Sequence, residues 1–125
     1  KFLTINVINA KSLGSAKKIA FSIANSPLVK TAVAGEDPNW GRIAMGLGKS
    51  GEPVDVKKLK IKIGEYIVAE NGKVSDNYDE KKLKEYMEWD AIEIEVNLKL
   101  GNDAFKCYTC DFTHDYIDIN ADYRN

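Results

Sequence analysis

The strongest constraint on the fold is the segment of residues 91–100, in which apolar and polar side chains alternate without interruption from Ile92 to Leu100. Its apolar members are Ile92, Ile94, Val96, Leu98 and Leu100. Because successive side chains of a strand point to opposite faces, this pattern predicts a half-buried strand of an antiparallel sheet. Gly101-Asn102-Asp103 then predicts a turn, and residues 104–110 are predicted to be the hairpin partner.

The start of the chain combines a strand pattern with a helix pattern. Residues 2–8 alternate as a strand, and Ser12 and Ser15 then offer N-caps for a helix that continues to about Asn25. The apolar residues of this helix are Ala16, Ile19, Ala20, Ile23 and Ala24. Their spacing predicts a helix packed on one side.

The end of this helix and the apolar run after it predict a parallel pair of strands. Proline disfavours helix in the residue before it, so Ser26-Pro27 is expected to end the helix. Residues 28–34 then predict a short strand. Strand, helix and strand in this order form a βαβ unit, in which the two strands pair in parallel.

The middle of the chain predicts a second pair of strands and a charged helix. Residues 59–63 and 66–69 alternate as strands, and Asn71-Gly72 marks a tight turn. Residues 79–89 predict an amphipathic helix with its inner face formed by Leu83, Tyr86 and Met87. The expected fold is therefore α/β in the α+β sense: a mixed β-sheet with packed helices, a βαβ start and a C-terminal antiparallel hairpin.

Size and charge limit the function. The 125 residues are expected to form a single domain over 1–125, which is long enough to bury roughly two-thirds of its unfolded surface. The formal charge of −1 lacks the positive excess of nucleic-acid-binding modules, so no nucleic acid is expected as a partner. No apolar run is long enough to span a membrane and no signal segment opens the chain, which favours a cytoplasmic protein.

Two short motifs and one histidine resemble parts of redox, metal or phosphate sites, but the residues around them do not complete such sites. Cys107 and Cys110 have the spacing of a redox or zinc pair, but on a strand their side chains point to opposite faces, and His114 is the only histidine. Gly48-Lys49-Ser50 resembles the end of a phosphate-binding loop, but Ile43 stands where that motif needs its first glycine. We therefore expect two ordinary thiols, a helix-terminating turn, and a surface or packing role for His114, with no metal and no cofactor.

Residues 35–42 hold the densest group of functional side chains. Asp37 followed by Pro38 suits the N-cap and first position of a helix. The apolar residues that this helix would bury are Trp40, Ile43, Ala44 and Leu47. One interpretation is a capped helix with a packing role only. The other is an amino-acid site, because a carboxylate before the helix could bind an ammonium group while the helix N-terminus binds a carboxylate. The residues alone leave both interpretations open.

The sequence closely resembles the ornithine acetyltransferase family, ArgJ. The resemblance is carried by residues 25–32 (NSPLVKTA), 35–42 (GEDPNWGR), 69–72 (AENG) and 110–124, where CDFT, DYI and INADYR stand out. It covers essentially the whole chain in order. It implies the fold shared by DmpA and ArgJ, and it identifies the chain as the C-terminal portion of the second (β) chain of a longer enzyme.

The activity implied by this resemblance is acetyl transfer in arginine biosynthesis. Members of the family cleave themselves into two chains, and the N-terminal threonine of the second chain is the nucleophile, with its own α-amine as the adjacent base. The threonine accepts acetyl from N-acetylornithine and passes it to glutamate by a ping-pong route, and some members also accept acetyl-CoA. The oxyanion hole belongs to the first (α) chain. The implied assembly is a heterotetramer of two α and two β chains.

The same resemblance implies roles for individual residues. Glu36 and Asn120 match the substrate-contacting glutamate and asparagine of the family, and Asn125 stands where a terminal threonine or serine contact is usual. The residues expected to shape and brace the site are Asp37, Trp40 and Arg42. The sequence begins at Lys1, so the nucleophile is expected to lie outside this piece, which alone should be inactive.

Two other functions remain alternatives. The chain could be a stand-alone, non-catalytic binding domain, or a small redox or metal protein built on Cys107 and Cys110. Titration with ornithine and N-acetylornithine would distinguish the first from an enzyme fragment. Zinc or a disulfide in the folded protein would favour the second.

Overall fold

The computed structural model describes residues 1–75 and 77–111. Over these residues, the elements are β1 (Phe2–Ala10), α1 (Leu13–Ala24), α2 (Pro27–Ala34), α3 (Trp40–Gly48), β2 (Lys60–Ile63), β3 (Tyr66–Glu70), β4 (Lys73–Val74), α4 (Glu80–Met87), β5 (Ala91–Asn97) and β6 (Asp103–Cys110). The strands form one mixed sheet in the order β4-β3-β2-β5-β1-β6. The predicted class, a mixed sheet with packed helices, is confirmed.

The central pairing joins β1 to two strands from the end of the chain. β1 runs parallel to β5 and antiparallel to β6. Its inward side chains Leu3, Ile5 and Val7 are fully buried and share one core with the buried stripe of α1. On the opposite face, Phe2 stacks on Tyr108 at 5.6 Å, and both are largely exposed among the residues that the structure describes.

The segment predicted as the second strand is a helix, so the βαβ prediction was wrong. Ser26 is the N-cap of α2, where its hydroxyl accepts a hydrogen bond from the Val29 N–H at 3.4 Å, and Pro27 occupies the first turn. A short apolar run fits a strand or a helix equally well. Here the serine cap and the proline, which lacks an N–H that the first turn would leave unpaired, decide for the helix.

The predicted C-terminal hairpin was also wrong, because β1 lies between β5 and β6. The connection crosses the end of β1, where the N–H groups of Leu100 and Gly101 donate to the Asn9 carbonyl at 2.9 and 3.0 Å. A β-carbon at Gly101 would lie 2.4 Å from the Ala10 carbonyl oxygen. The glycine thus lets the chain pass close to β1 and reach its far side.

Several local predictions are confirmed. The hydroxyl of Ser12 caps α1 by accepting from the Ser15 N–H at 3.1 Å, and the predicted apolar stripe of α1 is buried. β2 and β3 pair antiparallel, and the turn after β3 has positive φ at both Asn71 (53°) and Gly72 (73°). Asp79 caps α4. Within the described part of the chain, no helix is both long and apolar enough for a membrane span.

Candidate functional site

The loop between α2 and α3, residues 35–39, begins with a helix C-terminus that has glutamate where glycine is usual. The Glu36 N–H donates to the Val33 carbonyl at 3.1 Å, and the Asp37 N–H donates to the Ala32 carbonyl at 2.8 Å. This pair of bonds is the Schellman arrangement, in which the residue after the C-cap adopts left-handed backbone. That residue is usually glycine, but here it is Glu36, with φ of 58°.

The conformation of Glu36 has an energetic cost. Left-handed backbone costs an L-residue roughly 1–2 kcal/mol relative to the right-handed form. The chain does have a glycine nearby, but Gly35 precedes the strained position and has φ of −83°. Backbone strain of this kind is concentrated at binding and catalytic sites. The strain therefore supports the interpretation of Glu36 as a binding residue.

The Glu36 carboxylate lies next to an alkylammonium group. Lys1 Nζ is 3.3 Å from Glu36 Oε2 and donates to the main-chain carbonyl of Trp89 at 2.9 Å. The Lys1 side chain is 14% exposed and that of Glu36 is 44% exposed, so the pair is open to solvent on the Glu36 side. A carboxylate and a carbonyl oxygen that converge on one ammonium form an acceptor set suited to a ligand with a primary amine.

Main-chain hydrogen bonds hold the start of β1, which carries Lys1, against the segments on either side of it. The Phe2 N–H donates to the Asp90 carbonyl at 2.7 Å, which holds the start of β1 against the segment after α4. On the other side, the Asp111 N–H donates to the Lys1 carbonyl at 3.2 Å. The fully buried Asp111 carboxylate accepts from the main-chain nitrogen of Lys1 at 2.8 Å. Lys1 is therefore anchored by its backbone as well as by its side chain.

Aromatic packing anchors the segment that carries the Trp89 carbonyl. The Trp89 ring is 5.0 Å from that of Tyr86, which in turn is 6.3 Å from the ring of Tyr66. The Tyr86 hydroxyl accepts from the Glu93 N–H at 2.8 Å. Burial raises the pKa of the Tyr86 phenol, and the bond from Glu93 partly offsets this. A β-carbon at Gly64 would lie 2.8 Å from the Tyr86 ring, so the glycine makes room for this packing.

Of the residues expected to brace the site, Asp37 follows the end of α2, and Trp40 and Arg42 lie in the first turn of α3. The N-cap of α3 is Asn39, whose side-chain oxygen accepts from the Arg42 N–H at 3.2 Å, so the prediction of Asp37 as the cap was wrong. The physical reason is that the Asp37 N–H closes the end of α2. The Asn39 N–H then donates to the Asp37 carbonyl at 2.8 Å, so the chain turns at Pro38 before α3 begins. Arg42 Nη1 donates to the Leu28 carbonyl at 3.2 Å, which ties α3 to the start of α2.

The predicted packing of α3 is confirmed for some residues. Ile43 and Leu47 are buried, whereas Trp40 is partly buried against the core and Ala44 is half-buried. Asp37, one residue after Glu36, is exposed. That Asp37, Trp40 and Arg42 shape and brace a substrate site stays a prediction.

Three of the residues singled out in the sequence cannot be placed. Asn120, Asn125 and His114 lie outside the described residues, so their roles also stay predictions. Sequence reasoning missed Lys1 and Trp89 as neighbours of Glu36. Trp89 contributes a main-chain oxygen, which leaves no signal in side-chain identity, and a single lysine before a strand carries no recognisable motif.

The two other motifs have structural roles. The thiols of Cys107 and Cys110 are both free. In the register of β6 against β1, Cys107 lies opposite Ile5 on the buried face of the sheet, and Cys110 lies opposite Phe2 on the exposed face. This confirms that their side chains point to opposite faces. Gly48 is the last residue of α3 and Lys49 is its C-cap, which confirms the helix-terminating turn.

Comparison with known proteins shows similarity over the full length of the chain. The model of the ArgJ family matches residues 1–125. The arginine biosynthesis bifunctional protein ArgJ of Gluconobacter oxydans is 52% identical, and that of Brucella melitensis 51%, each over 100% of this chain and 30% of the relative. The crystal structure of the corresponding argJ protein from Bacillus halodurans is 37% identical with a TM-score of 0.87, over 98% of this chain and 58% of that chain. The chain thus spans about a third of the length of the curated relatives it matches.

Proposed function

The chain belongs to the ArgJ family, and from that premise we propose that it is the C-terminal portion of the second chain of an acetyltransferase in arginine biosynthesis. The proposed reaction moves acetyl from N-acetylornithine to glutamate. In this proposal the chain supplies one side of the amino-acid pocket, centred on Glu36. The threonine nucleophile and the oxyanion hole come from other parts of a cytoplasmic assembly of two α and two β chains.

The observation that carries the proposal is the ammonium held by Glu36. N-acetylornithine has a single ammonium group, at the end of its side chain, because its α-nitrogen is acylated. The Glu36 carboxylate and the Trp89 carbonyl already converge on an ammonium of the same chemistry, that of Lys1, at 3.3 and 2.9 Å. The site therefore offers the acceptors that the substrate side chain requires.

The proposed reaction proceeds in two steps through the threonine. The threonine oxygen attacks the acetyl carbonyl, and its proton passes by way of the α-amine to the departing nitrogen. Ornithine then leaves as the free amine, and the acetyl group remains as an ester on the threonine. The α-amine of glutamate then attacks the ester, and the threonine oxygen recovers its proton. Glu36 takes no part in bond making. By holding the far end of the substrate, it positions the acetyl group next to the nucleophile, so that binding energy lowers the barrier.

The test uses the full-length enzyme with Glu36→Gln, which keeps the size of the side chain and removes its charge. We expect the KM for N-acetylornithine to rise about tenfold or more, because a charge-assisted hydrogen bond is lost. Glu52→Gln is the matched control, since Glu52 also lies in an ion pair, 4.0 Å from Lys18, outside the proposed pocket. An unchanged KM in Glu36→Gln would exclude Glu36 from the substrate site.

A further inference from the structure

The Lys1–Glu36 pair places both signs of charge at one point of the site, and the proposed reaction needs both. This inference rests on the proposed function. N-acetylornithine and glutamate share an α-carbon that bears a carboxylate and the nitrogen that carries or receives acetyl. When these atoms occupy the same positions, the side chains end in the same region, with an ammonium in one substrate and a carboxylate in the other. A pocket that offered only the Glu36 carboxylate would repel glutamate.

Each member of the pair is held in place without the other. Glu36 is fixed by the hydrogen bonds that end α2, which involve only main-chain atoms. Lys1 Nζ is held by the Trp89 carbonyl at 2.9 Å. The ion pair at 3.3 Å can therefore open to admit a charged group while the Glu36 backbone and the Lys1 ammonium remain anchored.

Both members also have capacity for another partner. An ammonium has three N–H donors, and in the described part of the chain the Lys1 group uses two acceptors, Glu36 and Trp89. Glu36 is 44% exposed and accepts from Lys1 through one of its two oxygens. An ion pair this exposed contributes little to stability, so stability alone does not account for a glutamate in strained backbone.

We propose that Lys1 is the residue that selects glutamate as the acetyl acceptor. In the first half-reaction, the substrate ammonium binds Glu36, and Lys1 stays on the Trp89 carbonyl. In the second, the side-chain carboxylate of glutamate binds the Lys1 ammonium, and Glu36 turns toward solvent. One pocket thereby accepts two side chains of opposite charge.

The experiment uses the full-length enzyme with Lys1→Met, which keeps the aliphatic stem and removes the charge. We expect the KM for glutamate to rise about tenfold or more, while the KM for N-acetylornithine stays the same or falls. We also expect the preference for glutamate over glutamine as acceptor, measured as the ratio of kcat/KM values, to fall by a similar factor. Lys1→Arg should retain the preference, and Lys57→Met, a change at an exposed lysine on another part of the surface, should leave both KM values unchanged.

Two results would overturn the inference: an unchanged KM for glutamate, or equal increases of both KM values with the glutamate preference intact. If Lys1→Met does not fold, Lys1→Gln, which can still donate to the Trp89 carbonyl, carries the same test. The proposed function is tested by a separate result. It is excluded if the unmodified enzyme transfers no acetyl group between the two substrates, whereas the Lys1 results bear only on how glutamate is chosen.

Discussion

Glu36 and Lys1 are 35 positions apart in the chain, and their charged atoms meet at 3.3 Å. Local structure accounts for the position of Glu36, which follows directly from the end of α2. Long-range structure accounts for the position of Lys1, because it depends on the pairing of β1 with β5 and β6. The charge pair therefore forms only when the helical layer and the sheet are both correctly assembled.

Replacement of Glu36 by glycine should separate stability from binding. Glycine adopts φ near 58° without steric cost, whereas alanine does not, so Glu36→Gly should be more stable than Glu36→Ala by about 1 kcal/mol. Both variants should lose the ammonium acceptor. Urea denaturation of the two proteins measures the difference, and equal stabilities would show that the helix end relaxes when the carboxylate is removed.

Gly101→Ala should be strongly destabilising, by about 2 kcal/mol or more. The added β-carbon would lie 2.4 Å from the Ala10 carbonyl oxygen and 3.0 Å from the Lys11 Cα, and main-chain atoms cannot easily move aside. Gly14→Ala is the matched control, because a β-carbon at this helical position meets nothing within 4 Å. That change should stabilise the protein by up to about 1 kcal/mol. Similar melting temperatures for the two variants would contradict the close approach of Gly101 to the main chain at the end of β1.

The two cysteines should differ in their rate of alkylation. Burial raises the pKa of the Cys107 thiol, so less of the reactive thiolate is present, and Cys107 is 6% exposed. Cys110 is half-buried and should react first with iodoacetamide. Peptide mass spectrometry after partial labelling gives the order, with Cys110→Ser as the control that removes the fast phase. Simultaneous labelling, or a disulfide between the two thiols, would contradict their placement on opposite faces.

Tyr86 should make the protein less stable at high pH. Burial raises the pKa of its phenol above the ordinary value of 10.0, so above that pH the unfolded chain loses the proton while the folded chain keeps it. The free energy of unfolding should therefore fall as pH rises beyond about 10. Tyr86→Phe should make this fall shallower, although the lost bond to the Glu93 N–H should cost about 1 kcal/mol at neutral pH. Denaturation curves at pH 8 to 11 (about one unit apart) test the expectation, and an unchanged slope would contradict it.

Sequence patterns predicted the elements whose periodicity is regular and local. The stripe of α1 and the alternation in β1 and β5 identified the buried faces correctly, because burial on one side imposes the period directly. The same logic could not assign residues 28–34, where every position is small or apolar except Lys30 and Thr31. The deciding signal was present in the Ser26 cap and Pro27, but these were interpreted only as the end of the preceding helix.

The pairing of strands and the full site were harder to predict. Nothing local to β5 or β6 indicates that β1 lies between them, because this depends on the close crossing at Gly101. For the candidate site, Glu36 was singled out from its motif, and its role stays a prediction. Its ammonium partner Lys1 and the Trp89 carbonyl come from distant parts of the chain. The chemistry of a single loop can be anticipated from sequence, whereas the neighbours that complete it require the tertiary structure.

The position of β1 in the sheet also sets the order in which the fold can be completed. Asn9 at its end bonds to Asn97, 88 positions later, and both of its flanking strands come from the last third of the described chain. During synthesis, β1 is made long before β5 and β6, and only the helices and strands between them are available to cover its apolar face. Contacts of such long range slow folding and prolong the exposure of unpaired strand edges. Among the described strands, β1 precedes the other five in the chain, yet both of its neighbours in the sheet are synthesised after all the others.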